Sequence, residues 1–206
     1  MTRRLLALGD SYTIGEGVGA AERWAVQLAR SLRAQRIAIA DPEIVAHTGW
    51  TTDELLAAID RAAPRGPFDL VTLMIGVNDH YRGRAPETFQ AALRPLIQRA
   101  VALAGGRDDG PQRALVLSIP DWGVTPFAAA DPRGASAIRA QIDAYNAIVR
   151  QEAQAAGARH ADITELSRRA AVDPSLLAAD GLHPSGRMYA TWLEVIVPAA
   201  RAALAA

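Results

Sequence analysis

Five polar clusters in the 206-residue sequence carry side chains that could do chemistry together: Gly9-Asp10-Ser11, His47-Thr48-Gly49, Gly76-Val77-Asn78-Asp79, Pro120-Asp121-Trp122 and Asp180-Gly181-Leu182-His183-Pro184. A serine hydroxyl is a poor nucleophile at neutral pH and attacks only when a nearby base takes its proton. Ser11 offers the hydroxyl, and His183 the base, because imidazole takes up and releases protons near neutrality. Asp180 lies three residues before His183. At that spacing on a turn, its carboxylate can accept from the second ring nitrogen and fix the tautomer. Acyl transfer also builds negative charge on a carbonyl oxygen, which needs preorganised donors. The candidates are the Ser11 N–H, the Gly49 N–H, where the missing Cβ allows close approach, and the side-chain amide of Asn78.

These clusters are distant in sequence, so a fold must gather them. Short apolar runs at 4–8, 43–46, 70–75, 114–119 and 159–163 read as strands. The runs at 70–75 and 114–119 are continuously apolar, as in strands buried on both faces. Helical spacing fills the intervals. Trp24, Leu28 and Leu32 mark 22–36, and Leu55, Leu56 and Ile59 mark a helix that Thr52 can cap. A helix over 86–104 is expected to kink or break at Pro95. Ile138, Ile142, Tyr145 and Val149 mark 136–156, and a last helix starts near Ser185, with Pro198 close to its end. This alternation predicts an α/β fold with a parallel sheet covered on both faces and right-handed crossovers. Ligands then bind outside the carboxyl ends of the strands, where the first four clusters fall. The connections are 105–112, 120–135 and 171–184, and the last two are long enough to wall a site.

Composition narrows the chemistry. Half of the residues are hydrophobic, enough for a sizeable core, and the length fits one domain over 1–206. Lysine plus arginine equals aspartate plus glutamate at 22 each, so nothing points to nucleic acid or an anionic membrane. The absence of cysteine excludes disulfides, a thiol nucleophile and cysteine-bound zinc. Leu5 to Leu8 follows two arginines but ends at Gly9-Asp10, short of the roughly 7–15 residues of a signal-peptide core. It reads as a strand, and no stretch approaches a membrane span. A cytoplasmic protein acting on a small molecule is expected, with its oligomeric state open.

Each cluster alone has a plainer reading. Gly-Asp-Ser suits a turn with a capping serine, Asn and Asp favour strand exits, and Ser185 can cap a helix. Asp10 and Asp79 are expected to hold loops through backbone hydrogen bonds. Asp53 and Glu54 suit the first turn of a helix. Trp50 and Trp122 sit beside strand exits and are expected to line an acyl or alcohol pocket, and His80 to face the same pocket or lie on the surface. Trp24 and Trp192 fall on helical stripes and read as core. His47 and His160 read as surface and structural residues. Arg82, Arg84 and Arg133 are open to an anionic substrate at the rim or to solvent alone.

Taken together, Gly9-Asp10-Ser11-Tyr12, Gly49, Gly76-Val77-Asn78-Asp79 and Asp180-Gly181-Leu182-His183-Pro184 resemble the four blocks of the SGNH hydrolases, also called the GDSL family. The resemblance runs from residue 4 to about 190. It implies a flavodoxin-like α/β/α sandwich around a five-stranded parallel sheet, and esterase, lipase, thioesterase or carbohydrate-deacetylase activity without metal or organic cofactor. It also implies diagnostic roles for Ser11, Gly49, Asn78 and His183, with Asp180 supporting His183. The sequence departs from the pattern at Tyr12 and in His47-Thr48-Gly49-Trp50, where many members have asparagine before the glycine and a small polar residue after it. The expected reaction is cleavage of carboxylic esters through an acyl-enzyme. A short acyl group, such as acetyl, is favoured because no long apolar lid segment is evident. One rival is a binding module that keeps the fold without turnover. Another is a phosphate-binding enzyme, but no glycine-rich phosphate loop follows the first strand.

Overall fold

The apolar runs become five strands: β1 (Leu5–Gly9), β2 (Glu43–Ala46), β3 (Leu70–Met74), β4 (Ala114–Leu117) and β5 (Arg159–Ala161). They form one parallel sheet in the order β2-β1-β3-β4-β5. The computed structural model describes residues 1–106 and 110–205. Strands β1, β3 and β4 are buried along their whole length, which is why they are apolar but for Thr72 in β3. Edge strand β2 is partly exposed and opens on Glu43. The chain runs outward from β1 to β2 and then crosses back to β3, so a crevice opens at the carboxyl ends of β1 and β3.

The helices are α1 (Ser11–Ile14), α2 (Trp24–Ala34), α3 (Thr52–Ala62), α4 (Val77–Tyr81), α5 (Pro86–Leu103), α6 (Gly110–Arg113), α7 (Ala135–Ala155), α8 (Thr164–Ser167) and α9 (Gly186–Leu204). Helices α2 and α9 pack together on one face of the sheet, and α3, α5 and α7 pack in a row on the other. Trp24 and Trp192 are fully buried in the α2–α9 layer, as expected of core residues. Among the described residues, no helix is long and apolar enough to cross a membrane.

Two local expectations change. Helix α5 runs on through Pro95 without a break. Helix α3 is capped by Thr51, whose N–H donates to Glu54 Oε2 at 2.8 Å, while Thr52 is its first residue. The buried Asp79 carboxylate claims the Thr52 N–H and hydroxyl at 3.0 and 2.9 Å, and a charged acceptor outcompetes a cap. The connections 120–135 and 171–184, expected as long stretches that could wall a site, have local structure of their own. They hold short 3₁₀ turns at Trp122–Val124, Pro126–Ala130 and Pro174–Leu176. In the connection 105–112, residues 107–109 lie outside the described residues.

Candidate active site

Strand β1 ends beneath helix α1. A Cβ on Gly9 would lie 2.2 Å from Thr13 Oγ1 and 2.5 Å from the Met74 carbonyl, so only glycine lets the chain turn here. Asp10 caps α1, its Oδ1 accepting from the Tyr12 N–H at 3.1 Å. Burial, with the nearby charge of Asp79 adding to it, pushes the Asp10 carboxyl up to about 7 despite that hydrogen bond. Ser11 opens the helix and is buried but for one side.

His183 sits on a tight turn before α9. Asp180 Oδ1 accepts from the N–H groups of Leu182 and His183, both at 2.9 Å, and Oδ2 lies 2.6 Å from His183 Nδ1. A carboxylate partner assigns the Nδ1 position to the proton of the neutral ring and leaves Nε2 as acceptor. Burial raises the Asp180 carboxyl, but the hydrogen bonds from the His183 ring and the two N–H groups outweigh it and hold it below its ordinary value. The turn is pinned by Ala178 N–H donating to the His183 carbonyl at 2.7 Å. The Tyr12 ring packs against the imidazole at 5.5 Å between centroids.

Gly49 lies in the loop after β2 with φ +85°, a left-handed conformation that strains any residue with a Cβ. Asn78 lies on α4 and donates from Nδ2 to the Trp50 carbonyl at 2.9 Å. The turn into α4 needs Gly76, where φ is +122° and a Cβ would sit 2.8 Å from Ile119 and from the Phe89 ring. Beneath, Asp79 joins Thr52 to the Arg84 guanidinium, whose Nη1 is 2.8 Å from Asp79 Oδ1. Desolvation raises the Asp79 carboxyl above its ordinary value.

These segments meet around one cavity of about 150 Å³. Ser11, Gly49, Asn78 and His183 line one part of it, and Tyr12, Val77, Tyr81, Trp122, Phe127 and Leu182 most of the rest. A larger groove of about 540 Å³ between α5 and α7, lined by Arg94, Gln98 and Glu152, contains none of these residues.

The GDSL-like lipase/acylhydrolase family matches residues 7–191. The chain belongs to this family. It is accordingly a carboxylic ester hydrolase. Among solved structures, the psychrotrophic esterase EstA from Pseudoalteromonas sp. is similar at 18% identity and a TM-score of 0.69, covering 94% of this chain and 96% of its own. Axe2, an acetylxylan esterase from Geobacillus stearothermophilus, is 20% identical with a TM-score of 0.68 and covers 98% and 94%. TesA is 24% identical with a TM-score of 0.68 and covers 96% and 97%. At these identities the likeness establishes the fold, the three-layer α/β arrangement of SGNH hydrolases. No curated protein matches the sequence.

In this GDSL-family chain, two residues expected at the pocket lie elsewhere. The Trp50 ring stacks on His47, with centroids 5.4 Å apart, and only its backbone carbonyl reaches Asn78. His80 is buried behind Trp122. Its Nδ1 accepts from the Trp122 indole N–H at 3.1 Å, and its Nε2 donates to Gln141 Oε1 at 2.9 Å. Desolvation lowers its pKa below the ordinary 6.5. The cause is helical geometry. On α4, Asn78 and Tyr81 share a face toward the cavity, which turns Asp79 and His80 inward against α3 and α7. Trp122 does line the cavity, joined by two rings that were not anticipated. Tyr81 and Phe127 sit 5.5 and 6.2 Å from it between centroids. Tyr81 lies on α4, which is too short for a helical period to have singled it out. Phe127 lies in the connection 120–135, which was marked as a wall without any particular residue in it.

Proposed function

We propose that the chain hydrolyses short-chain carboxylic esters through an acyl-enzyme on Ser11, with His183 as base and then acid and Asp180 orienting the imidazole. The observation that carries this reading is the 2.6 Å contact between His183 Nδ1 and Asp180 Oδ2 beside a cavity that Ser11, Gly49 and Asn78 also line. Ser11 Oγ attacks the ester carbonyl while His183 Nε2 takes its proton. The carbonyl oxygen becomes an oxyanion, held by the N–H groups of Ser11 and Gly49 and by Asn78 Nδ2. The amide of Asn78 has two hydrogens, and the one not given to Trp50 is free for this bond. His183 then protonates the departing alkoxide. Water, deprotonated by His183, attacks the acyl-enzyme, and the proton returns to Ser11 as the acid leaves.

The size and lining of the cavity support a short acyl group. A space of about 150 Å³ walled by Trp122, Phe127 and Tyr81 suits acetyl or a chain of a few carbons. Esterase chemistry in the names of EstA and Axe2, and acetyl chemistry in that of Axe2, favour the same direction. A cytoplasmic location and a small-molecule ester as partner belong to this proposal. The test is hydrolysis of p-nitrophenyl acetate, butyrate and octanoate, with Ser11→Ala as control. Acetate and butyrate are expected to be cleaved faster than octanoate, and Ser11→Ala to be inactive. A preference for octanoate overturns the acyl reading, and full activity in Ser11→Ala overturns the nucleophile.

A further inference from the structure

An oxyanion donor works only if its peptide is fixed before charge develops. The Gly49 turn is held in part by its own residues: the Trp50 N–H donates to the His47 carbonyl at 3.3 Å, and Thr48 Oγ1 donates to Glu16 Oε2. His47 and Thr48 are exposed, and among the described residues other than its chain neighbours only Arg82 Nη2, at 3.9 Å, comes within 4 Å of a Cβ built on Gly49. Further restraints come from α4 and the residue that closes it. Asn78 Nδ2 donates to the Trp50 carbonyl at 2.9 Å, and Asp79 Oδ2 takes the Thr52 N–H at 3.0 Å. Arg82, one turn after Asn78, donates from Nη2 to the Gly49 carbonyl at 2.7 Å. The backbone N–H of Arg82 closes α4 on the Asn78 carbonyl at 3.0 Å. Its Nη1 reaches Glu54 Oε2 at 3.4 Å, and Glu54 is anchored by the Thr51 N–H at 2.8 Å.

We propose that Arg82 is a positioning residue for ester hydrolysis: its guanidinium holds the Gly49–Trp50 peptide and, through the Gly49 Cα, limits rotation of the Thr48–Gly49 peptide that carries the Gly49 N–H. This rests on the reading of that N–H as an oxyanion donor. A charged donor at 2.7 Å gives the short, strong kind of hydrogen bond that holds a turn against rotation. A second restraint acts on the same turn. His47 Nδ1 lies 2.8 Å from the Thr48 carbonyl, which belongs to the peptide carrying the Gly49 N–H. Donation into that carbonyl polarises the N–H and strengthens it as a donor. The sequence left Arg82 open to an anionic substrate or to solvent. The structure turns it instead onto the loop that joins β2 to α3. Its pair with Glu54 is exposed and long, so it adds little to stability. Loss of Arg82 is therefore read in turnover and not in folding.

The experiment compares Arg82→Ala and Arg82→Lys with Asn78→Ala and Ser11→Ala on p-nitrophenyl acetate. It also measures inhibition by a trifluoromethyl ketone, whose hemiketal places an oxyanion in the hole. Arg82→Ala is expected to lower kcat by about 10- to 100-fold, less than the roughly 10²–10³ for deleting a donor outright. KM and the melting temperature stay near the wild-type values, the ketone weakens in step with kcat/KM, and Arg82→Lys recovers part of the loss. Wild-type kcat in Arg82→Ala, with Asn78→Ala and Ser11→Ala impaired, overturns the clamp alone. A raised KM at unchanged kcat places Arg82 on the substrate and also overturns it. Wild-type rates in both Asn78→Ala and Ser11→Ala overturn the underlying reading of the site.

Discussion

Asp180 accepts three hydrogen bonds, two from backbone and one from an imidazole, so its replacement separates structure from chemistry. In Asp180→Asn the amide oxygen can still accept the backbone N–H groups, but an amide N–H facing Nδ1 favours the wrong tautomer of His183. We predict a fall in kcat of about 10²–10⁴, in line with the loss seen when a triad carboxylate is made neutral, and an unchanged circular dichroism spectrum. Asp10 makes the opposite kind of case, a carboxyl whose burial opposes folding. Its pKa rises from 3.8 to about 7 on burial, so the folded state holds a proton that the unfolded state has released. Stability contributed by this group is present below pH 4 and is lost as pH rises toward 7. Asp10→Asn cannot ionise. Its stability relative to wild type is expected to grow by about 2–3 kcal/mol between pH 5 and 8, at about 1.4 kcal/mol per unit of pH difference spanned. Urea melts at both pH values check this, and a constant difference contradicts it. That Ser11, Asn78 and His183 would gather at one cavity, with Asp180 on His183, was legible because their side chains are suited to acyl transfer and stand beside predicted strand exits or the last helix. Trp50 and His80 were misplaced because adjacency to such a residue says nothing of which way the next side chain turns.

Helix α4 does most of the assembly. It presents Asn78 and Tyr81 to the cavity, sends Asp79 to Thr52 and Arg84, and sets His80 behind Trp122. Asp79→Ala leaves the Thr52 N–H and hydroxyl and the Arg84 charge without that partner. The predicted loss is about 3 kcal/mol, typical of removing one side of a buried ion pair, and Asp79→Asn should lose less because its amide oxygen can still accept from Thr52. Denaturant unfolding distinguishes the two, and equal midpoints for wild type and Asp79→Ala contradict the assignment. Helix α4 escaped the sequence reading because five residues hold barely more than one helical turn, too few to show a period. The longer helices α2, α5, α7 and α9 were legible, with ends shifted by only a residue or two. Pro95 was read as a kink or a break because proline removes an internal hydrogen bond. Helix α5 passes through it with Phe89, Leu93, Leu96 and Ile97 buried, so packing along its length overrides the local defect.

At the scale of the molecule, the order of the strands is what brings the donors together. Strands β2, β1 and β3 are neighbours, so the loops after them place Gly49, Ser11 and Asn78 side by side, while His183 arrives from the turn before α9. The hydrophobic pattern showed a parallel sheet but not this order, since buried apolar strands can exchange places without altering their composition. Stability and chemistry should separate accordingly. Leu73 lies in β3, at the centre of the sheet, and is 1% exposed. Leu73→Ala is expected to cost about 2–5 kcal/mol while the folded fraction keeps kcat within about twofold. Unfolding midpoints and initial rates on the same samples test this. The central claim, that Ser11 is the nucleophile activated by His183, is met most directly by labelling the protein with a fluorophosphonate and locating the adduct by peptide mass mapping. The account predicts one adduct per chain on Ser11, absent in Ser11→Ala and strongly slowed in His183→Ala. An adduct on another residue, or none on the wild-type chain, would contradict it.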